Sequence, residues 1–199
     1  KYSYYLLSEE NNTSYSVSFG FSAVALAIGK ERFYSELYTS FLTALQSLDL
    51  RVRRTLAFSL KSYAFIFNPS DLCEVVCIIL KDLPYVSIGI ISQLSEFLPL
   101  VDDKESLMFC LVNPLFCLLN PSSKYSEWRM RLRVSEQLRK CKEFFDRKKL
   151  LESAAELIED DTAIVRKDAA LSFAELMQID DIPILKNYSV SDNHWTRLC

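Results

Sequence analysis

Asp49-Leu-Arg-Val-Arg-Arg-Thr-Leu-Ala57 decides the fold, because its phrase returns as Trp128-Arg-Met-Arg-Leu-Arg-Val134 and as Thr162-Ala-Ile-Val-Arg-Lys-Asp-Ala-Ala170. Each copy opens a stretch of helical periodicity with an aliphatic residue followed by Arg, and Asp82-Leu-Pro-Tyr-Val-Ser-Ile88 is a weaker echo. Val52 and Val86 lie 34 residues apart, Met130 and Val165 lie 35 apart, and a wider gap separates the two pairs. That period belongs to stacked helix pairs, in which a pair cannot bury its apolar face alone and shares it with the next. The spacing therefore predicts an all-α chain, an α-α superhelix of antiparallel helix pairs. Residues 1–199 read as a single array of about five repeats, a fragment or a shortened array.

Composition agrees. Half of the residues are hydrophobic, and 3 Gly and 6 Pro among 199 leave little material for hairpins or phosphate loops. The 23 basic and 26 acidic residues are mixed along the chain, net charge −3, so no electropositive stripe for a nucleic-acid backbone is expected. The apolar runs 19–28 and 107–119 are too short to span a bilayer, so no membrane partner is expected. The chain reads as soluble, with no export signal after Lys1. A cytoplasmic location, with the nucleus as a second compartment, is the matching expectation.

Walking outward, residues 14–29 carry Val17, Phe21, Val24, Ala25 and Ile28 at helical steps and end at Gly29, suited to the backbone that closes a helix. The next helix places Phe33, Leu37, Phe41, Leu42, Leu45 and Leu48 on one stripe. Asp49 is placed to cap the helix carrying Val52, Leu56, Leu60, Tyr63 and Phe67. Asn68-Pro-Ser-Asp71 stops one helix and restarts another, with Ser70 or Asp71 as the expected cap. Pro114 predicts a kink within residues 106–119, and 120–127 is the longest turn. Residues 128–140, 144–158 and 162–177 are three further helices, and 182–187 with 193–199 look like an incomplete pair.

Chemistry finds few footholds. Cys73, Cys77, Cys110 and Cys117 sit in apolar surroundings that suit buried small hydrophobes, and one His in the chain, His194, disfavours a Cys/His metal site. No nucleophile motif or phosphate loop stands out, and Asp102-Asp103 and Asp160-Asp161 suit helix caps, so no enzyme, cofactor or metal is expected. Arg53, Arg131 and Arg166 recur at equivalent positions near Asp49, Glu127 and Asp160, which suits an inter-repeat ladder of charge-assisted hydrogen bonds. Trp128 stands in a polar turn, where a large aromatic side chain is a candidate anchor for a partner protein.

Two longer stretches carry a resemblance. Val24-Ala-Leu-Ala-Ile-Gly-Lys-Glu-Arg-Phe-Tyr-Ser-Glu-Leu-Tyr-Thr-Ser-Phe-Leu42 resembles the first repeat boundary of the scaffold (A) subunit of protein phosphatase 2A, a HEAT-repeat family. Trp128-Arg-Met-Arg-Leu-Arg-Val-Ser-Glu136, Glu143-Phe-Phe-Asp146 and Val165-Arg-Lys-Asp-Ala-Ala170 are similar to that family's W-R-V-R-L-x-x-x-E, E-F-F-D and I-R-E-A-A, in the same order. The resemblance implies a non-enzymatic horseshoe whose intra-repeat turns hold the phosphatase 2A catalytic subunit at one end and a substrate-selecting B-type regulatory subunit at the other. The second motif follows the first after only about a hundred residues, so the array is shortened relative to the family or lacks its middle.

By the same resemblance Trp128 and Arg129 are expected to touch the catalytic subunit. In the next turn, Asp161, Thr162 and Ala163 occupy the contact position, with Ala163 where the family carries an aromatic. Asn193-His-Trp-Thr-Arg197 looks like the third contact, which makes His194 and Trp195 candidates. The alternative reading is an importin-like HEAT-repeat transport or trafficking adaptor, which would grip basic peptides on acidic inner surfaces. The pairs Trp128-Arg129 and His194-Trp195 do not form an acidic lane.

Overall fold

The computed structural model describes residues 1–8, 10, 12–101, 127–178 and 181. The chain divides into two compact units, residues 1–111 and 112–199. Every regular element among the described residues is helical. The expected kink at Pro114, the turn at 120–127 apart from Glu127, Asp102-Asp103, Cys110, Cys117, the segments 182–187 and 193–199, and with them His194 and Trp195, lie outside the described residues.

In the first unit, α1 (Tyr2–Leu6), α2 (Thr13–Phe19), α3 (Phe21–Arg32) and α4 (Tyr38–Ala44) lead to α5 (Leu50–Ser59), α6 (Pro69–Leu80), α7 (Pro84–Ile91) and α8 (Leu94–Phe97). A π-helical turn, Phe33–Leu37, joins α3 to α4, and 3-10 turns extend α5 over Leu60–Ile66 and α8 over Leu98–Leu100. The expected helix over 14–29 is broken at Gly20 into α2 and α3. At Gly29 the backbone swings to φ +73°, ψ 175°, a conformation that L side chains rarely adopt, and the helical direction changes there.

The repeated phrase opens α5, and its echo opens α7. These helices lie side by side, with α2 against the other flank of α5. Val52 and Leu56 on α5 and Leu60 at the start of its 3-10 extension are fully buried, as are Val86 and Ile90 on α7. Each contributes about 1.5–3 kcal/mol relative to an exposed side chain. The helices approach closely at Gly89, where a Cβ would meet the Phe58 amide nitrogen at 3.0 Å and the Ala57 carbonyl carbon at 3.1 Å. Behind them Phe21, Phe33, Phe41 and Tyr63 are fully buried in an aromatic cluster, with ring centroids 5.2–6.5 Å apart.

Two local expectations are corrected. Leu48 is fully exposed and not on the buried stripe, because α4 ends at Ala44 and residues 45–49 form a turn. The restart at Pro69 is not capped by Ser70 or Asp71. The Asp71 carboxylate instead accepts hydrogen bonds from the Tyr34 hydroxyl at 2.7 Å and the Asn68 side-chain amide at 3.0 Å, while the Tyr34 hydroxyl accepts the Asn68 amide N–H at 2.7 Å.

The second unit repeats the scheme with α9 (Trp128–Lys140), α10 (Arg147–Ile158) and α11 (Ala163–Leu176). Helix α11 packs against both α10 and α9, and α9 lies beside α11 as α5 lies beside α7. Met130 and Val165, the counterparts of Val52 and Val86, are buried between them. The Asp146 carboxylate caps α10 by accepting the Lys149 amide at 3.0 Å. Cys73, Cys77 and Cys141 are buried, and burial pushes the Cys141 thiol up to about 12.

Candidate functional site

The repeated phrase, here called the box, places an arginine near the start of α5 (Arg53), α9 (Arg131) and α11 (Arg166), while α7, opened by the echo, carries Ser87 after its box residue Val86; the three arginines bond to the neighbouring turns. Arg53 donates through Nε and Nη2 to the Asp82 carboxylate at 2.7 and 3.0 Å, and through Nη1 to the Ser47 carbonyl at 2.5 Å. Arg131 does the same one unit later, with Nε and Nη2 on the Asp160 carboxylate. Both pairs span 29 residues, one helix pair forward. Arg166 reaches backward through Nη1 to the Asp160 and Asp161 carbonyls at 2.7 and 3.0 Å, the six-residue offset also seen from Arg53 to Ser47.

Burial makes these contacts effective. The Arg131 and Asp160 side chains are 10% and 4% exposed, where charge-assisted bidentate hydrogen bonds are screened little by water. The same carboxylate accepts the Thr162 amide at 2.7 Å, so one side chain joins two helix pairs and shapes the turn before α11. Asp49 is used differently. It caps α5 through the Arg51 amide at 2.9 Å, and its carboxylate pairs with the Arg51 guanidinium, not with that of Arg53. The Arg51 side chain beside Asp49 holds its carboxyl below the usual carboxylate range. Asp82 fills the acceptor role, and its only sequence signal was the weak echo it opens.

A second row of polar links ties α9 to α11. Arg139 donates to Asp168 at 2.9 Å, the Ser135 hydroxyl donates to the same carboxylate at 2.7 Å, and the Ser172 hydroxyl donates back to the Ser135 carbonyl at 3.0 Å. These bonds fix the edge on which the turns stand.

Within each unit, exposed apolar side chains stand at or beside the starts of the helices that the repeated phrase and its echo open. Trp128 opens α9 with 37% of its surface exposed, and the Arg129 guanidinium sits 4.6 Å from its ring centroid. Asp161 and Ala163 are exposed beside Thr162, the residue that precedes α11, and Ile164 next to them is 51% exposed. Leu48 and Leu83 stand at the turns before α5 and α7 in the first unit, fully and half exposed. Sequence reasoning missed Leu48, Leu83 and Ile164. Their signal was an apolar residue placed within four positions before the buried box residue, where a polar turn is expected. Among the described residues no cluster of three His, Cys, Asp or Glu side chains could hold a metal ion, and no helix is long and apolar enough to cross a membrane.

An exposed Trp–Arg pair beside a buried ion pair is thus the most exposed aromatic feature of the described part of the second unit. The chain is 31% identical over 127 residues to serine/threonine-protein phosphatase 4 regulatory subunit 1 from Homo sapiens, and equally so to the proteins of that name from Mus musculus and Rattus norvegicus. The chain is thus similar to a phosphatase regulatory subunit. The matched stretch covers 61% of this chain and 13% of the length of those relatives. No family model matches the chain.

Proposed function

We propose that this chain is part of a non-enzymatic helical-repeat scaffold that docks a serine/threonine phosphatase catalytic subunit on its turn edge, with Trp128 and Arg129 as the leading contacts. The observation that carries the reading is the Trp128–Arg129 stack, held exposed at the start of α9 by the buried Arg131–Asp160 link. Asp161, Thr162, Ala163 and Ile164 extend the contact across the next turn, and His194 and Trp195, which lie outside the described residues, are taken as a third contact from the motif resemblance. The similarity to phosphatase 4 regulatory subunits supports the phosphatase class. The motif resemblance favours the type 2A enzyme and a B-type regulatory subunit held elsewhere on the frame. Mechanistically the chain acts by position, raising the effective concentration of a substrate adaptor beside an active site that belongs to another protein.

Binding of purified phosphatase 4 and phosphatase 2A catalytic subunits to the full chain tests the reading. Trp128→Ala is expected to weaken capture of one of them by about 30-fold, from the roughly 2 kcal/mol that a central aromatic anchor contributes. Trp128→Ala binding as well as the parent, or neither catalytic subunit binding at all, rejects the proposal.

A further inference from the structure

On the first unit, Tyr15 and Phe19 of α2, Arg51, Arg54 and Phe58 of α5 and Tyr85 of α7 line a cleft of about 420 Å³. Three helices lie side by side here. Phe19, Phe58 and Tyr85 are 60%, 39% and 51% exposed, while the rings of the cluster behind them are sealed. Guanidinium groups lie against the rings of the cleft: Arg51 is 4.6 Å from the centroid of the half-buried Tyr15, and Arg54 is 4.6 Å from Phe58 and 3.9 Å from Tyr85. Among the described residues no carboxylate lines the cleft, although the whole chain carries a net charge of −3.

The two arginines differ in what they have left to offer. Arg51 spends Nε and Nη2 on Asp49. Arg54 makes no ion pair among the described residues, and its Nη1 donates to the Tyr85 carbonyl at 2.6 Å. Its Nε/Nη2 edge is left over, and that is the edge by which Arg53 holds Asp82 and Arg131 holds Asp160. A guanidinium packed against two rings and tied at one nitrogen has little side-chain freedom left to lose when a carboxylate arrives.

We infer that this cleft is the docking site for an acidic peptide segment of a partner protein. An Asp or Glu carboxylate of that segment sits bidentate on the Nε/Nη2 edge of Arg54, and an adjoining apolar side chain packs among Phe19, Phe58 and Tyr85. Charge complementarity selects the occupant. Among the described residues a basic peptide would meet two cations and no carboxylate on the cleft wall, and a nucleic-acid strand would need several cations along its track where Arg54 alone is unengaged by a carboxylate. The site does not involve Trp128 and does not depend on the phosphatase reading.

Fluorescence polarisation with the full 199-residue chain tests this. The probes are an array of labelled octapeptides with Asp or Glu beside Leu, Phe or Trp, a matched array with Asn and Gln in place of the acids, and a third with Lys. Acidic members are expected to bind at least about tenfold tighter than their amide partners, in line with a bidentate charge-assisted contact. Arg54→Gln should remove that preference while the helical circular dichroism stays at the parent level. Phe19→Ser, at a more exposed position, should weaken the acidic peptides several-fold, so the idea remains testable if Arg54→Gln disturbs folding. Equal binding of amide peptides, a preference for the Lys array, no binding at millimolar concentration, a self-association that Phe19→Ser dissolves, or unchanged affinity in Phe19→Ser overturns the assignment.

Discussion

Asp160→Ala is the substitution that most exposes how the turns are held. It removes the carboxylate that accepts two hydrogen bonds from Arg131 and one from the Thr162 amide. Breaking a buried pair from one side costs about 3–5 kcal/mol, because the remaining charge has already been stripped of water. This pair lies next to a turn, so the lower end applies, and about 3 kcal/mol is expected. Asp49→Ala is the matched control. Asp49 and Arg51 are 32% and 50% exposed, so little beyond the helix cap is lost, about 1 kcal/mol. Urea unfolding followed by far-UV circular dichroism, with hydrogen exchange resolved over residues 147–176, reads both. The midpoint for Asp160→Ala should fall by roughly 1–2 M, with little change in slope. Replacing both partners, Arg131→Met with Asp160→Leu, should recover more than half of the loss, since neither charge then has to be desolvated. A midpoint shift for Asp160→Ala no larger than that for Asp49→Ala would refute the reasoning.

Gly29→Ala should destabilise by about 1–3 kcal/mol through backbone strain alone, since its φ is +73° and no atom lies within 4 Å of the new Cβ. Gly20→Ala, at φ −82° with ordinary contacts beyond 3.5 Å, should be within about 1 kcal/mol of the parent, and thermal unfolding of the two variants separates the cases. The Cys141 thiol, raised by burial from 9.0 to about 12, adds stability that is complete below pH 9 and lost as the pH rises toward 12, because only the unfolded chain gives up that proton. Iodoacetamide labelling of the peptide containing Cys141 should be blocked at pH 8 and begin above about pH 9 as the unit opens, and labelling at pH 8 at the rate of an unfolded peptide would contradict this.

What the sequence disclosed, and what it hid, follows from the range of the interactions. The box residues Val52, Val86, Met130 and Val165 were legible because burial at a helical period repeats in the chain itself, and all four are buried. Gly29 was legible as a helix end, because a side-chain-free residue at a change of direction is a local signal. Leu48 was misjudged because helical periodicity continues one step past the point where α4 stops, and residues 45–47 contain neither Gly nor Pro to mark it. Asp82 was missed as the partner of Arg53 because a bond across 29 residues has no local signature. The cleft around Arg54 was invisible for the same reason, being assembled from helices that are neighbours only in space.

Hydrogen exchange of the full chain with and without the bound phosphatase catalytic subunit tests the central claim most directly. Docking on the turn edge predicts new protection at residues 127–131 and 161–164, with α10 unchanged on its own outer face. Protection confined to α10, with the turn at Trp128 exchanging as in the unbound chain, would contradict the account.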